Sequence, residues 1–184
     1  LSDAFVNLLF CNKVMFVWVF HKTTLILLIF YIDWSHFPIN ILLVRTKETK
    51  GELVASKSVN VSENNIDKIE FSDLKVEEWS AEIPNTYHLV ITLSQGGNLI
   101  EVINRPIGFK HIKINGNVFT FNNKGIKLQG VNHHDTDAKT GYVMSVDDME
   151  RDVKIFKEYN VNCVRTSHYP PDPIFLDLCD EYGV

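Results

Sequence analysis

The chain is poor in cysteine, with three residues in 184, and none of them belongs to a CxxC pair. Cys11, Cys163 and Cys179 are odd in number and lie far apart along the sequence. This pattern indicates neither a disulfide framework nor a zinc site. We therefore predict a reducing, cytoplasmic environment.

The chain also lacks a surplus of positive charge, since 18 Lys and Arg residues stand against 23 Asp and Glu residues, for a net charge of −5. Proteins that bind nucleic acid by its phosphates gather Lys and Arg on one face. The basic residues here are scattered among acidic ones, so we expect no nucleic-acid partner.

An uninterrupted apolar run long enough to cross a membrane is missing as well. Residues 14–44 are rich in Phe, Ile, Leu and Val, but His21–Thr24 and then Asp33–His36 break the run. A membrane-spanning helix needs about 18 or more consecutive apolar residues. A membrane anchor is therefore not expected, although a frame-shifted or diverged segment and divergent buried strands both stay open. Residues 1–44 are left unassigned.

The next part of the sequence, residues 45–109, has the pattern of β-strands. Apolar side chains alternate with more polar ones from Tyr87 to Ser94, and 95–98 supply turn residues before Leu99–Ile103 returns. Alternation with a period of two, followed by a short turn, predicts an antiparallel hairpin with one buried face.

The periodicity changes in the last part of the chain, residues 110–184. Two predicted strands, 118–121 and 126–131, flank a turn, and a helix follows from an N-cap at Ser145. Its apolar stripe consists of Met149, Val153, Phe156 and Tyr159. A third strand at 161–165 precedes a helix from Asp172-Pro173 to about Tyr182, so the order predicts a parallel α/β sheet.

Histidines follow two of these strands, in Asn132-His133-His134-Asp135 and in Ser167-His168-Tyr169. Parallel α/β barrels carry their sites at the carboxyl ends of the strands. If the two segments are neighbours, His134 and His168 converge on one ligand. Adjacent residues of a strand face opposite sides, which disfavours a metal site at His133-His134 and a Ser–His pair at 167–168.

Three blocks of the sequence resemble the family 2 glycoside hydrolases. The first is Trp79-Ser80-Ala81-Glu82-Ile83-Pro84-Asn85-Thr86-Tyr87. The second is Gly108-Phe109, followed by Gly130-Val131-Asn132-His133-His134-Asp135. The third is the run from Asn162 to Pro170, which continues through Phe175-Leu176, Asp180 and Gly183. The resemblance runs from about Gly51 to Val184 and is greatest to the bacterial β-galactosidases.

This resemblance implies a partial immunoglobulin-like β-sandwich at 45–109 and the start of a (β/α)₈ TIM barrel at 110–184. A complete barrel needs about 250 residues, so the chain is expected to be part of a longer protein. The implied parent hydrolyses terminal non-reducing β-D-galactosides such as lactose by a retaining mechanism that uses two carboxylates. A β-glucuronidase or other family 2 parent, or a non-catalytic carbohydrate-binding remnant, stays as an alternative.

The resemblance also implies roles for individual residues. His134 and His168 match the family histidines that contact the galactosyl group, and Arg165 is expected to pair with a carboxylate beyond this chain. Asn132 belongs to the same site, while Asp135 either joins the sugar-binding shell or caps the following loop.

Neither catalytic carboxylate is expected within the chain, because Glu158 and Glu181 lie on predicted helices that face away from the strand ends. We therefore expect the chain alone to be inactive. It is expected to bind no cofactor or metal itself, whereas the full-length parent is expected to bind magnesium and sodium and to form a homo-oligomer.

Overall fold

The computed structural model describes the backbone of residues 5–10, 14–21, 24–31, 38–47, 50–60, 67–95 and 97–184, and the side chains within 51–59, 69–94 and 97–184. The chain divides into two compact units. Residues 1–77 and 86–111 form the first unit, and residues 78–85 and 112–184 form the second.

The first unit contains two antiparallel four-stranded sheets, with strand orders β1-β2-β3-β6 and β5-β4-β7-β8. The strands are β1 (Phe5–Phe10), β2 (Val14–His21), β3 (Thr24–Tyr31), β4 (Pro38–Lys47), β5 (Lys50–Asn60), β6 (Asp67–Phe71), β7 (Tyr87–Gln95) and β8 (Asn98–Ile107). Within the described ranges, the apolar stretch 14–44 is therefore strand, and the predicted boundary between residues 44 and 45 falls inside β4.

The predicted hairpin is confirmed by the pairing of β7 with β8. Tyr87, Leu89, Ile91 and Leu93 are at most 5% exposed, whereas the residues between them are half-buried. The ring of Tyr87 also meets that of Phe109 edge-on, at 5.3 Å between centroids. The alternating side chains thus form one continuous apolar face.

No helix among the described residues is long and apolar enough to cross a membrane.

The second unit begins with a small antiparallel sheet of order β11-β10-β9 and continues with a parallel pair, β12 and β13. Its elements are β9 (Ile112–Asn115), β10 (Val118–Phe121), β11 (Lys124–Gly125), β12 (Gly130–His133), α1 (Val146–Glu158), β13 (Cys163–Thr166) and α2 (Pro173–Tyr182). The alternation of strand and helix after residue 130 agrees with the order predicted from the sequence.

The predicted strand at 126–131 is wrong in its extent, because residues 126–129 lie between β11 and β12 and belong to neither strand. Asn162 explains the gap. Its side-chain oxygen accepts from the Gln129 N–H at 2.8 Å, and its amide nitrogen donates to the Lys127 carbonyl at 3.0 Å. A side chain thus satisfies backbone groups that a strand would have satisfied with a neighbour.

Both helices begin at the predicted caps. Ser145 and Asp148 form a capping box at the start of α1, and the hydrogen bonds from Ser145 lower the pKa of Asp148. Asp172 caps α2, whose C-terminal Gly183 has left-handed backbone. Tyr159 was predicted to lie in the apolar stripe, but it is 77% exposed, since α1 ends at Glu158 and the side chain turns to solvent.

The core between the two helices consists of Met149, Val153, Phe175 and Cys179, all at most 6% exposed. Burial raises the pKa of the Cys179 thiol to about 12. The thiol therefore stays protonated at neutral pH and acts as a small apolar side chain.

Residues 78–85, which we call the tryptophan arm, belong to the second unit and pack against its other residues. Trp79 is 5% exposed, and its Nε1 donates to the Asp180 carbonyl at 2.7 Å. Lys157 Nζ donates to the carbonyls of Ala81 and Gly183, at 2.7 and 2.8 Å. Their contacts group residues 78–85 with residues 112–184, while the predicted division into 45–109 and 110–184 stays a prediction.

Gly183 has no room for a side chain beneath the tryptophan arm. A Cβ atom there would lie 2.4 Å from the Ala81 carbonyl oxygen, and φ is +82°. We expect Gly183→Ala to lower the free energy of unfolding by about 2–4 kcal/mol, because it adds a main-chain clash to left-handed strain. Urea unfolding measures this change.

Gly141→Ala is the matched control, since Gly141 has φ of +70° but a Cβ atom there meets nothing within 4 Å. Strain alone costs about 1–2 kcal/mol. Equal losses in the two variants would contradict the close packing of the arm.

Candidate functional site

The candidate site lies where β12 and β13 end. The two strands are parallel, and their register pairs Asn132 with Arg165 and His133 with Thr166. Their carboxyl ends therefore meet at one edge, and the residues that follow each strand become neighbours. The register explains why segments about 34 residues apart in the sequence form one site.

His134 and His168, the two histidines predicted to converge, are brought together. Their ring centroids lie 6.0 Å apart, with the planes at 75°. Both residues are exposed to solvent. Two imidazole rings are thus side by side and accessible, an arrangement suited to hydrogen bonds with the hydroxyl groups of one ligand.

His133 faces the opposite way and belongs to the core. It is 8% exposed, stacks on Phe175 at 4.7 Å and meets Phe156 edge-on at 5.7 Å. Its Nε2 lies 3.1 Å from Asp152 Oδ2, and its Nδ1 lies 3.5 Å from Asp135 Oδ1. His133 therefore anchors the end of β12 to both helices, and the exposed histidine at this strand end is His134.

Tyr169 joins the two strand ends, a role that the sequence analysis missed. Its hydroxyl oxygen accepts from the Asp135 backbone N–H at 3.0 Å and lies 3.2 Å from His134 Nδ1. The two rings are 5.8 Å apart. The sequence feature that could have indicated this role is the position of Tyr169, directly after His168 in a cluster of polar residues.

Arg165 contacts the second histidine. Its Nη2 lies 3.3 Å from His168 Nδ1. Within residues 97–184, the guanidinium has no carboxylate partner, so the pairing predicted for it with a group beyond this chain stays a prediction. Arg165 is exposed and open to such a partner.

Asp135 and Asn132 occupy different surroundings. The Asp135 carboxylate is 22% exposed and faces buried His133, so it stabilises the end of β12 on the side where His133 lies. Asn132 is exposed and lies beside Arg165 through the strand register. The sequence predicts that Asp135 either binds sugar or caps the following loop. Neither prediction includes its contact with His133.

The loop after β12 is held by Asp137. The carboxylate accepts from the Lys139 N–H at 2.8 Å, and this hydrogen bond is the main reason that the pKa of Asp137 is lowered. Arg151 on α1 lies 3.8 Å from the same carboxylate. Asp137 is therefore ionised at neutral pH and committed to the loop.

Within the described part of the chain, no three His, Cys, Asp or Glu side chains come together as a metal site requires. Glu158 and Glu181 are exposed on α1 and α2. Sodium and magnesium sites in a longer protein stay a prediction.

Comparisons with known proteins match both parts of the chain. The family model "Glycosyl hydrolases family 2" matches residues 40–110, and "Glycosyl hydrolases family 2, TIM barrel domain" matches residues 112–184. The β-galactosidase of Lactobacillus delbrueckii subsp. bulgaricus is 36% identical over 141 residues, which are 77% of this chain and 14% of that protein. The β-galactosidase of Halalkalibacterium halodurans is 44% identical over 107 residues, 58% of this chain and 11% of that protein.

Solved structures show the same fold. A β-glycosidase from Bacteroides vulgatus matches with a TM-score of 0.76 and 23% identity, over 100% of this chain and 22% of that one. A β-glucuronidase from Parabacteroides merdae matches with a TM-score of 0.74 and 20% identity, over 100% of this chain and 22% of that one.

A β-rich unit followed by strand ends that carry polar side chains, together with these matches, defines the chain as part of a glycoside hydrolase. It belongs to glycoside hydrolase family 2, as its motifs predicted, and the curated relatives are β-galactosidases. The chain spans 11% of the length of one of these relatives and 14% of the other.

His168 stands in strained backbone at the centre of the site. Its φ is +78°, and the Tyr169 N–H donates to the Thr166 carbonyl at 3.2 Å, which closes a tight turn. A positive φ at the third residue of such a turn favours glycine. The imidazole is thus held where its own backbone is unfavourable, a combination typical of functional sites.

We expect His168→Gly to raise the free energy of unfolding by about 1 kcal/mol, because glycine removes the strain. Thermal unfolding measures this effect. Asn160→Gly is the control, since Asn160 also has a positive φ, of 56°, but tolerates it better. A less stable His168→Gly protein would contradict the strain argument.

Proposed function

We propose that this chain supplies part of the substrate-binding site of a retaining β-galactosidase that hydrolyses terminal non-reducing β-D-galactosides such as lactose. The observation that carries the proposal is the meeting of His134 and His168 at the ends of adjacent parallel strands. The identities of 36% and 44% to curated β-galactosidases support the choice of sugar.

In this proposal the first unit is an immunoglobulin-like domain, and β12-α1-β13-α2 are the first strands and helices of the (β/α)₈ barrel. Barrel enzymes of this type bind substrate at the carboxyl ends of the strands. The site is therefore placed on the same edge as the two exposed histidines. Asn132 and Arg165 complete that edge.

Retaining glycosidases require two carboxyl groups about 5 Å apart, one as acid/base and one as nucleophile. The carboxylates described near the end of β12 are Asp135 and Asp152, which face His133, and Asp137, which is bound to the Lys139 N–H. We therefore propose that the carboxylate pair comes from outside these residues and that the 184-residue chain alone binds galactosides without turnover.

Hydrogen bonds from the two histidines to sugar hydroxyls would contribute to the free energy of substrate binding. They would strengthen in the transition state, as charge develops at the sugar ring. Neutral imidazoles donate and accept without bringing a net charge to an uncharged substrate. Arg165 provides the positive charge of the site and is available to a carboxylate of the longer protein.

The proposal extends to three properties of the longer protein: residence in the cytoplasm, assembly into a homo-oligomer, and magnesium and sodium sites built from other residues. Gel filtration and metal analysis of the purified protein test the last two. We propose no nucleic-acid or membrane partner.

A β-glucuronidase is the competing activity, since glucuronidases are among the structures that share the fold. The polypeptide from the complete reading frame should be tested with nitrophenyl β-galactoside, β-glucuronide, β-glucoside and β-mannoside. We expect the galactoside to give the highest kcat/KM. A higher value for the glucuronide would replace the galactosidase by a glucuronidase.

His134→Ala in the same polypeptide should lower kcat/KM for the galactoside by about tenfold to a hundredfold, as expected for the loss of one or two hydrogen bonds to substrate. His88→Ala is the matched control, because His88 lies on β7 in the first unit and bonds Asn104. Equal effects of the two substitutions would count against a binding role for His134.

A further inference from the structure

We propose that Arg165 and Tyr169 are positioning residues that fix His168 and His134 in the same neutral tautomer, with the proton on Nε2 of each ring. This inference rests on the proposed function, because it specifies how the two histidines present themselves to a sugar. It assigns a positioning role to Tyr169, for which the sequence analysis predicts no function.

Arg165 sets the tautomer of His168 directly. The Arg165 guanidinium has only hydrogen-bond donors, and its Nη2 lies 3.3 Å from His168 Nδ1. A donor at that distance requires an unprotonated Nδ1. A neutral imidazole carries one proton, so the proton of His168 is on Nε2.

The Tyr169 hydroxyl sets the tautomer of His134. The hydroxyl oxygen already accepts from the Asp135 N–H at 3.0 Å, so its own proton is the group left to satisfy. His134 Nδ1 lies 3.2 Å away and can accept that proton. Tyr169 then donates to Nδ1, and the proton of His134 is also on Nε2.

The contacts of Tyr169 join the ends of the two strands, whereas the contact of Arg165 joins β13 to the turn that follows it. Tyr169 reaches across from the β13 turn to the loop after β12, and Arg165 reaches forward to His168 within the turn. The strained backbone at His168, with φ of +78°, places Nδ1 within reach of Arg165. The turn thus orients one histidine directly and the other through Tyr169.

The chemical consequence is a pair of N–H donors on neighbouring rings, 6.0 Å apart between centroids. Such a pair suits a ligand that offers two oxygen acceptors, such as the hydroxyl oxygens along one edge of a sugar. A metal ion would need unprotonated nitrogens, and those are the Nδ1 atoms already bonded to Arg165 and Tyr169. The site therefore selects a polyhydroxylated ligand over a cation.

The test is NMR of the full 184-residue chain labelled with ¹⁵N-histidine, in which long-range proton–nitrogen correlations report which ring nitrogen carries the proton. We expect both His134 and His168 as the Nε2–H form. The signal of buried His133, with Nε2 at 3.1 Å from Asp152, marks molecules that hold the fold. An Nδ1–H form of either histidine in those molecules would overturn the inference.

Two variants separate the positioning residues. Tyr169→Phe should leave His168 unchanged and shift His134 toward a mixture of tautomers, whereas Arg165→Met should do the reverse. Arg165→Lys retains a donor and should retain the His168 tautomer. Tyr159→Phe is the control, since Tyr159 is 77% exposed and lies at the end of α1; it should change neither histidine.

Titration with methyl β-D-galactoside distinguishes this inference from the proposed function. Galactoside binding by a wild-type chain with the other tautomers would leave the proposed function standing and overturn the inference. Predicted tautomers without galactoside binding would support the inference and count against the proposed function. A Tyr169→Phe protein that binds as tightly as wild type and keeps a single His134 tautomer would overturn the role of Tyr169.

Discussion

The parallel pairing of β12 with β13 is the interaction on which the candidate site depends. Four residues of each strand are paired, and their register places Asn132 opposite Arg165. A shift of one residue would turn His134 toward the helices and His133 toward solvent, because successive side chains of a strand face opposite sides. The stack of His133 on Phe175 opposes that shift, since it buries the correct histidine.

His133 and His134 are adjacent in the sequence but have different roles. His133 is enclosed by aromatic rings and carboxylates, and it fixes the strand end to α1 and α2. His134 is left exposed beside His168. The fixed position of the exposed pair, His134 and His168, therefore depends on buried contacts that do not touch a ligand. Precise binding sites need such supporting residues around them.

Much of this organisation could be read from the residues themselves. The β7–β8 hairpin follows from strict alternation, and both helices follow from local caps at Ser145 and Asp172. The meeting of His134 with His168 follows from parallel strands. These features depend on neighbours in the sequence or on a general property of α/β sheets.

Other features depend on contacts that local patterns do not encode. The partner of Trp79 lies 101 residues away, and the hydrogen bonds from Asn162 that interrupt the predicted strand reach back 33 and 35 residues. The place of Tyr169 depends on the register between two strands. The positive φ of His168 violates the usual preference for glycine, so no propensity could have indicated it.

The tryptophan arm has a consequence for where the chain can be cut. The chain leaves the first unit at residue 77, contributes 78–85 to the second, returns for 86–111 and then completes the second. A single cut between residues 85 and 112 therefore separates Trp79 from the Asp180 carbonyl that it binds. A segment that keeps this hydrogen bond begins before Trp79 and so carries residues 86–111 of the first unit with it.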